Sequence, residues 1–437
     1  MSGALAPFRS RSFRFQWPAD LFTAWALEME TLILGWYVLV ESGSVVLLTV
    51  FGALQFVGTL VSPVLGTVGD RIGLRNLLAL MRVSYALFSA TILGLSLAGA
   101  LSPYAVLAVA ALCGMVRPSD IGMRTALVGA TVPSSDLVAA MGISRTTMDS
   151  AKVGGSLAGA GLMASFGMTP AYVLITVLYA IGVVLTLRVE GGRAAHPAKS
   201  GQADGVGPAN ATGPADPKTG LVRPVTVDRP SPWRDLREGL AYVWKTPRFL
   251  AAMSLASLVN LTAFPLSGGL LPYIARDVFH LDQQGLGLMA ASYAAGALVG
   301  SLLMSGLGPV VRPARTMLVA TLGWYVCLSC FALSPSAALA MGALAAAGAA
   351  QSLSMIAVQI LLLRTSEARF RGRLMGVRML AIYPLPLGLL IAGAAIPVIG
   401  YPWTAALMLG VGLVLLMAIT LGWRRHLVPL AAEANGR

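Results

Sequence analysis

Two carboxylates, Glu28 and Glu30, lie within a long apolar stretch near the start of the chain. A charged group inside a bilayer costs about 2.5–3.5 kcal/mol on insertion scales, so such residues are functional candidates. Successive helical residues turn by about 100°, which points the two side chains about 160° apart. Either could carry a proton, because burial favours the neutral form of a carboxyl group. Glu28 is slightly favoured as the cavity-facing group, and a structural ion pair with an arginine is the open alternative.

A second group of ionisable residues follows in the fifth apolar stretch. Arg145, Asp149 and Lys152 are spaced i, i+4, i+7 and therefore share one helical face, where opposite charges relieve one another. They form either a structural cluster near the cytoplasmic end or, in part, the wall of a substrate cavity. The C-terminal half has fewer charges, and its best polar candidates are a tyrosine and two glutamines. The cavity candidates are Arg145, Lys152, Arg378, Tyr293, Gln351 and Gln359.

The elements that carry these residues are long apolar segments. Of the 437 residues, 57% are hydrophobic and only 11% are charged, whereas soluble proteins carry about 25% charge. Apolar runs of about 18 or more residues number twelve, which predicts twelve transmembrane helices. The predicted fold class is all-α, a polytopic membrane protein built from two pseudo-symmetric bundles of six helices.

The net charge of +13 is distributed along the chain in a way that predicts topology rather than nucleic-acid binding. Arginines cluster before the first span, after the last span and in alternate connections, and the other connections are nearly free of basic residues. This positive-inside pattern places both termini and the central linker in the cytoplasm. We expect a multi-pass protein of the bacterial inner membrane, in contact with the lipid bilayer and monomeric.

The chain divides into three predicted parts. Residues 1–188 form an N-terminal bundle, residues 189–246 a cytoplasmic linker, and residues 247–437 a C-terminal bundle. The linker is rich in Gly, Pro and Ala and ends in a segment with Trp233, Leu240 and Trp244 at helical spacing, which predicts an amphipathic interfacial helix. Met141-Gly142 and Met375-Gly376 follow similar polar connections, which favours two related halves.

Small residues at four-residue spacing occur in one predicted span of each half. The pairs are Gly155 with Gly159 and Gly296 with Gly300. Such patterns let helix backbones approach closely. They indicate either ordinary packing within a half or the moving contact between the halves.

The connection between the second and third spans has the most specific pattern in the chain. Its glycines permit close contact and a tight turn, and its aspartate suits the N-terminus of a neighbouring helix. Asp120 and Arg124, near the cytoplasmic end of the fourth span, are candidate partners of this loop. The residues of the loop pattern are Gly66, Gly69, Asp70, Arg71, Gly73 and Arg75.

This loop resembles the signature GxxxDRxGRR of the major facilitator superfamily, departing at Leu74. The stretches Leu34–Ser44 and Arg371–Gly376 are similar to the drug- and siderophore-exporting branch, also called transmembrane secretion effectors. The resemblance implies that Asp70 docks on the start of the eleventh helix and latches the cytoplasmic side while the transporter opens outward.

The sequence as a whole predicts a secondary transporter, specifically proton-coupled efflux of a small amphipathic molecule by alternating access. No phosphate-binding GxxxxGK[ST] motif is present, and the three histidines form no catalytic set, so we expect no enzyme activity, cofactor or metal. Two alternatives stay open. One is an importer or a lipid or organic-anion transporter of the same fold, and the other is a non-transporting assembly factor or sensor.

Overall fold

The computed structural model describes residues 3–59, 72–133, 135–190, 232–307, 312–366, 374, 377–378 and 380–423, and the ordered elements among them are all helical. In the first half, α1 spans Arg11–Ser42, α2 Val45–Leu54, α3 Leu74–Leu97, α4 Pro103–Thr131, α5 Leu137–Phe166 and α6 Met168–Leu187. The chain then resumes with α7 (Pro232–Lys245), α8 (Pro247–Thr262), α9 (Phe264–Ser267), α10 (Leu271–Tyr273) and a π-turn over Ile274–Val278. The last helices are α11 (Gln283–Leu307), α12 (Pro313–Ala332), α13 (Ala337–Thr365) and α14 (Pro384–Gly422).

Eight of the described helices are long and apolar enough to cross a membrane: α1, α3, α4, α6, α11, α12, α13 and α14. The prediction of an all-helical membrane protein is therefore confirmed. The predicted seventh span is interrupted, since α8, α9 and α10 follow one another across short breaks. The predicted eleventh and twelfth spans (374–399 and 403–423) lie along α14, whose two helical segments are separated at Gly400 (φ 78°, ψ 164°), a conformation that favours glycine.

Several of these helices begin at a serine followed by apolar residues. The side chains of Ser44, Ser102 and Ser336 each accept a backbone N–H from the first turn of α2, α4 and α13. Each of these bonds satisfies a donor that the helix itself cannot pair. The starts of these three helices, after the short described connections 43–44, 98–102 and 333–336, are therefore well defined.

The helices pack in two groups that follow the chain. Before residue 190, α1 packs on α5 and α6, and α3 packs on α4 and α6. After residue 246, α13 packs on α11 and α12, and α8 packs on α14. Tyr172, Ile175 and Tyr179 of α6 are fully buried in the first core, and Trp324, Tyr325 and Leu328 of α12 are fully buried in the second.

The two groups meet along α5 with α11 and along α2 with α14. Small residues allow this approach: a Cβ at Gly287 would collide with Ala160, and a Cβ at Gly393 would collide with Thr49. The guanidinium of Arg276 also donates to the carbonyl of Leu39 at 3.1 Å. These contacts lie toward the end of the molecule at which α1 ends and α2 begins.

The glycine pairs in α5 and α11 do not form this interface. Gly155 and Gly159 face α1, where an added Cβ would meet Glu28 and Met29, and Gly296 and Gly300 face Ala345 and Ala349 of α13. They therefore serve packing within each half. The inference that they form the contact between the halves is wrong, because the helical face that carries them is turned away from the opposite half.

Replacing Gly393 with Leu is expected to force α14 away from α2, because the new side chain meets Thr49. Overpacking of this kind costs about 1–3 kcal/mol and would disfavour the arrangement in which α2 and α14 are in contact by roughly 5- to 150-fold. Spin labels at Val46 and Val398, both exposed, would report longer distances by electron paramagnetic resonance.

The matched control is Gly410→Leu, in the same helix, where an added Cβ has no neighbour within 4 Å. Unchanged distances in the Gly393 variant, or equal changes in the control, would contradict a close-packed interface at this end.

Helix α7 is the amphipathic segment predicted at the end of the linker. Val243 is buried, and the ring of Tyr242 packs on Phe249 of α8 at 5.3 Å between ring centroids. Trp244 and Leu240 are exposed, with 70% and 43% of their surfaces accessible. One part of the helix is therefore anchored to the bundle while two apolar side chains stay uncovered, as a helix at a lipid–water boundary requires. Its location at the cytoplasmic surface stays a prediction.

Candidate functional site

Glu30 of α1 lies deep within the first helix group, with 6% of its surface exposed. Its Oε2 atom accepts a hydrogen bond of 2.7 Å from the hydroxyl of Tyr179 on α6. The Tyr172 hydroxyl, about two helical turns before Tyr179 on α6, lies beside the same carboxylate without hydrogen-bond geometry. Oε1 has no hydrogen-bond partner among the described residues. The carboxylate is therefore buried and only half satisfied.

The cation that acts electrostatically on the Glu30 carboxylate is Arg117 of α4. Its guanidinium donates to Thr31 Oγ1 at 3.2 Å and to Gln55 Oε1, and it attracts Glu30 electrostatically. The two described side chains form no ion pair, so Arg117 is held by neutral partners. Arg117 is therefore available to respond when the charge on Glu30 changes.

Glu28 occupies a different face of α1, as the spacing of the two residues predicts. It is half-buried and lies against α5, where its Cβ is 2.9 Å from the position of a Cβ on Gly155. No hydrogen bond or ion pair of Glu28 occurs within the part of the chain that the structure describes. Which of the two carboxylates faces a substrate cavity stays a prediction.

A second buried cluster joins four charged residues from three helices. Arg82 of α3 pairs with Asp20 of α1, and it also donates to Thr186 of α6. Arg124 of α4 lies 3.8 Å from Asp20 and 2.5 Å from Asp120 on its own helix. Arg82 is fully buried and the other three are nearly so. The cluster holds two positive and two negative charges, so it is electrically balanced where water cannot screen it.

Within this cluster, the sequence predicts a role for Asp120 and Arg124, as partners of the signature loop, and none for Asp20 or Thr186. Asp20 lies at the predicted start of the first span, where an acidic residue is ordinary. Its position about three helical turns before Glu30 on the same helix is the one sequence feature that indicates a buried role.

The signature loop lies largely outside the described residues, and this holds for Gly66, Gly69, Asp70 and Arg71. Gly73, by contrast, has φ 88° immediately before α3, a conformation that glycine adopts readily and that suits the predicted tight turn. Arg75 donates to Asn76 Oδ1 at 3.0 Å and to the carbonyl of Val189 at 3.3 Å, which ties the start of α3 to the end of the first helix group.

The cavity candidates fall into two sets. Arg145 forms an ion pair with Asp149 at 3.1 Å, yet 65% of its side chain is exposed, and Lys152 is exposed as well. Arg378 lies near enough to Arg145 for the two cations to repel one another. The structure thus brings Arg145 of the first half close to Arg378 of the second half.

The polar candidates of the second half are more scattered. The Tyr293 hydroxyl is buried beside Ser267, at the break in the seventh span, without hydrogen-bond geometry. Gln351 is half-buried, and Gln359 is exposed. No group of three His, Cys, Asp or Glu side chains suited to a metal occurs in the described ranges.

Long apolar helices with balanced ion pairs buried between them define an integral membrane protein. A sequence profile described as Major Facilitator Superfamily matches residues 21–268 and 253–436. The chain therefore belongs to the major facilitator superfamily. The resemblance inferred from the Gly66–Arg75 loop is confirmed at this level, whereas the exporter branch stays a prediction.

Solved structures of transporters share this fold. A POT family transporter in complex with 5-aminolevulinic acid superposes with a TM-score of 0.70 at 12% identity, covering 96% of this chain and 97% of that chain. The nucleoside transporter NupG gives 0.66 at 14% identity, covering 94% and 98%. A bacterial homologue of the iron transporter ferroportin in the inward-facing state gives 0.67 at 14% identity, covering 94% and 98%. No curated protein sequence matches the chain.

The family and these neighbours indicate a transporter rather than an enzyme. At these identities the likeness describes the fold alone. Substrate, direction and coupling therefore depend on the residues of this chain.

Proposed function

We propose that this protein is a proton-coupled secondary transporter that exports a small amphipathic molecule. The observation that carries the proposal is the half-satisfied, buried carboxylate of Glu30 beside Tyr179 and Arg117. A carboxylate buried without a paired cation carries a desolvation penalty that protonation removes. Ionisable groups in such places mark proton pathways in pumps and transporters.

The proposed coupling step follows from the different contacts that ionised and protonated Glu30 make. Ionised Glu30 attracts Arg117 and accepts from Tyr179, whereas protonated Glu30 loses the attraction. Arg117 then remains bound to Gln55 of the α2–α3 connection and Thr31 of α1. Protonation therefore changes the force between α1 and α4, and Glu28 is the second candidate for the same role.

Alternating access would come from rocking one six-helix bundle against the other. We assign twelve spans in a 6+6 arrangement, with domains 1–188 and 247–437 joined by the linker 189–246. Both termini face the cytoplasm, the protein acts as a monomer in the inner membrane, and it needs no cofactor. With this orientation, the contacts of Gly287 with Ala160 and of Gly393 with Thr49 would lie on the external side, which supports an externally closed state.

The cytoplasmic latch of the opposite state would involve Asp70 with the start of the eleventh span. Arg124 and Asp120 are already ion-paired with each other beside Asp20. This balanced cluster would provide a fixed base for the loop on α4. The cluster supports the latch by holding the cytoplasmic half of α4 in one orientation.

A second candidate function is transport of an organic anion or lipid headgroup by the same fold, in either direction. The observation that favours it is the approach of Arg145 and Arg378 from opposite halves, with Lys152 exposed nearby. Clustered cations attract negatively charged substrates. For an amphipathic substrate, Tyr293, Gln351 and Gln359 of the second half would form the less charged wall of the cavity, opposite these cations.

A substrate panel in inverted membrane vesicles tests the proposal, with proton movement followed by a pH-sensitive dye. Cationic and neutral amphiphiles, siderophore-like chelators and organic anions would be compared in vesicles with and without the protein. We expect an amphiphile to be accumulated with simultaneous proton release from the lumen. A response confined to organic anions would replace the first proposal by the second, and no transport of any class would favour an assembly factor or sensor.

A further inference from the structure

A cleft of about 390 Å³ opens at the end of the molecule where α1 ends. Trp36, Tyr37 and Glu41 line one wall, and Met163, Met168 and Gln283 line the other. We call this the α1-end cleft. It is separate from the Glu30 cluster, since Glu30 and its partners do not line it, and its volume falls in the range of small-molecule sites.

The lining of the cleft carries charge of one sign only. Glu41 is exposed and is the one carboxylate among the lining residues, which include no Lys, Arg or His. The polar hydroxyls nearby are already engaged: Tyr37 donates to the carbonyl of Leu101 at 3.0 Å, and Ser96 pairs with Thr169 at 2.8 Å. The one charge among the lining residues is therefore negative.

The remaining lining includes two aromatic rings and two methionine side chains, beside the aliphatic Val40 and Leu101. Aromatic faces attract cations, and methionine side chains adapt their shape to apolar ligands. A carboxylate beside Trp and Tyr rings and two methionines suits a positive charge carried on an apolar body. An anion would be repelled by Glu41, and a small inorganic cation would leave the aromatic surface uncovered.

From these features we infer that the α1-end cleft binds an organic cation with an apolar body. Trp36 also packs with the core of the second helix group, and Gln283 begins α11, so the occupant contacts both halves. Occupancy would therefore stabilise the closed contacts at this end. The inference does not rest on the direction of transport or on proton coupling.

Equilibrium binding to the full-length protein in nanodiscs provides the test, with radiolabelled tetraphenylphosphonium as the probe and empty nanodiscs as the blank. Tetraphenylborate has the same shape and the opposite charge. We expect the cation to bind and Glu41→Gln to weaken it about tenfold, because a carboxylate beside the charge is lost. We expect Glu41→Lys to abolish cation binding and to admit tetraphenylborate. Glu41 is exposed, so both variants should fold.

The matched control is Asp277→Asn, an exposed carboxylate that does not line the cleft. It should bind the cation as the wild type does. Equal affinity in wild type, Glu41→Gln and Glu41→Lys would overturn the inference, as would equal binding of both probes by the wild type. No gradient is present in this experiment, so its failure leaves the proton-coupling proposal untouched, and the reverse also holds.

Discussion

Replacing Glu30 with Gln is expected to abolish uphill transport driven by a pH gradient while leaving downhill exchange of substrate in place. The amide can still accept from Tyr179, so packing in the first helix group should be preserved, but it cannot exchange a proton. Under a gradient of one pH unit, exchange of one proton per substrate gives about tenfold accumulation, which should fall to none. The measurement is accumulation in proteoliposomes.

Two further variants sharpen this result. Glu28→Gln removes the carboxylate on the other face of α1 and should retain accumulation if Glu30 carries the proton. Tyr179→Phe removes the hydrogen bond to Oε2 and should alter the pH at which transport is half-maximal rather than eliminate coupling. If Glu28→Gln and Glu30→Gln both kept full accumulation, neither carboxylate would be the coupling group.

Replacing Arg82 with Ala is expected to destabilise the protein by about 3–5 kcal/mol, the loss found when one member of a buried ion pair is removed. Asp20 would keep only its contact with Arg124 at 3.8 Å, and Thr186 would lose its donor. The measurement is thermal unfolding in detergent, followed by a thiol-reactive dye on the partly buried Cys113.

The control is Arg312→Ala, an exposed arginine at the start of α12, which should change stability by less than about 0.5 kcal/mol. The double variant Asp20→Asn with Arg82→Gln should be less destabilised than the sum of the single variants, because it leaves no unpaired charge on that side. Additive effects would mean that Asp20 and Arg82 do not depend on each other.

Much of the fold could be predicted from hydropathy because long apolar helices are local features. The helices α3, α4, α6, α11, α12 and α13 correspond to single predicted spans. The interruption of the seventh span could not be predicted in the same way. The break after Thr262 lies within apolar sequence and leaves hydropathy unchanged, since it concerns backbone dihedrals rather than polarity. Gly400, by contrast, lies between the predicted eleventh and twelfth spans.

The charged residues of the candidate site could be predicted from the sequence, but the residues that contact them could not. Glu30 stood out because a carboxylate in an apolar span is rare, but Tyr179 is 149 residues away, and a tyrosine in such a span resembles ordinary core. The spacing of Gly155 and Gly159 predicted close packing and could not say against which helix. Long-range partners depend on how helices rotate about their axes, which periodicity alone does not determine.

Proton movement driven by substrate alone is the most direct test of the proposed coupling. Wild-type protein would be reconstituted in proteoliposomes that contain a pH dye, with equal pH on both sides, and a compound identified by the vesicle panel would be added outside. Exchange predicts that substrate entry drives protons out, so the interior becomes alkaline, and that a protonophore abolishes the change. Substrate entry without any change in internal pH would contradict the account.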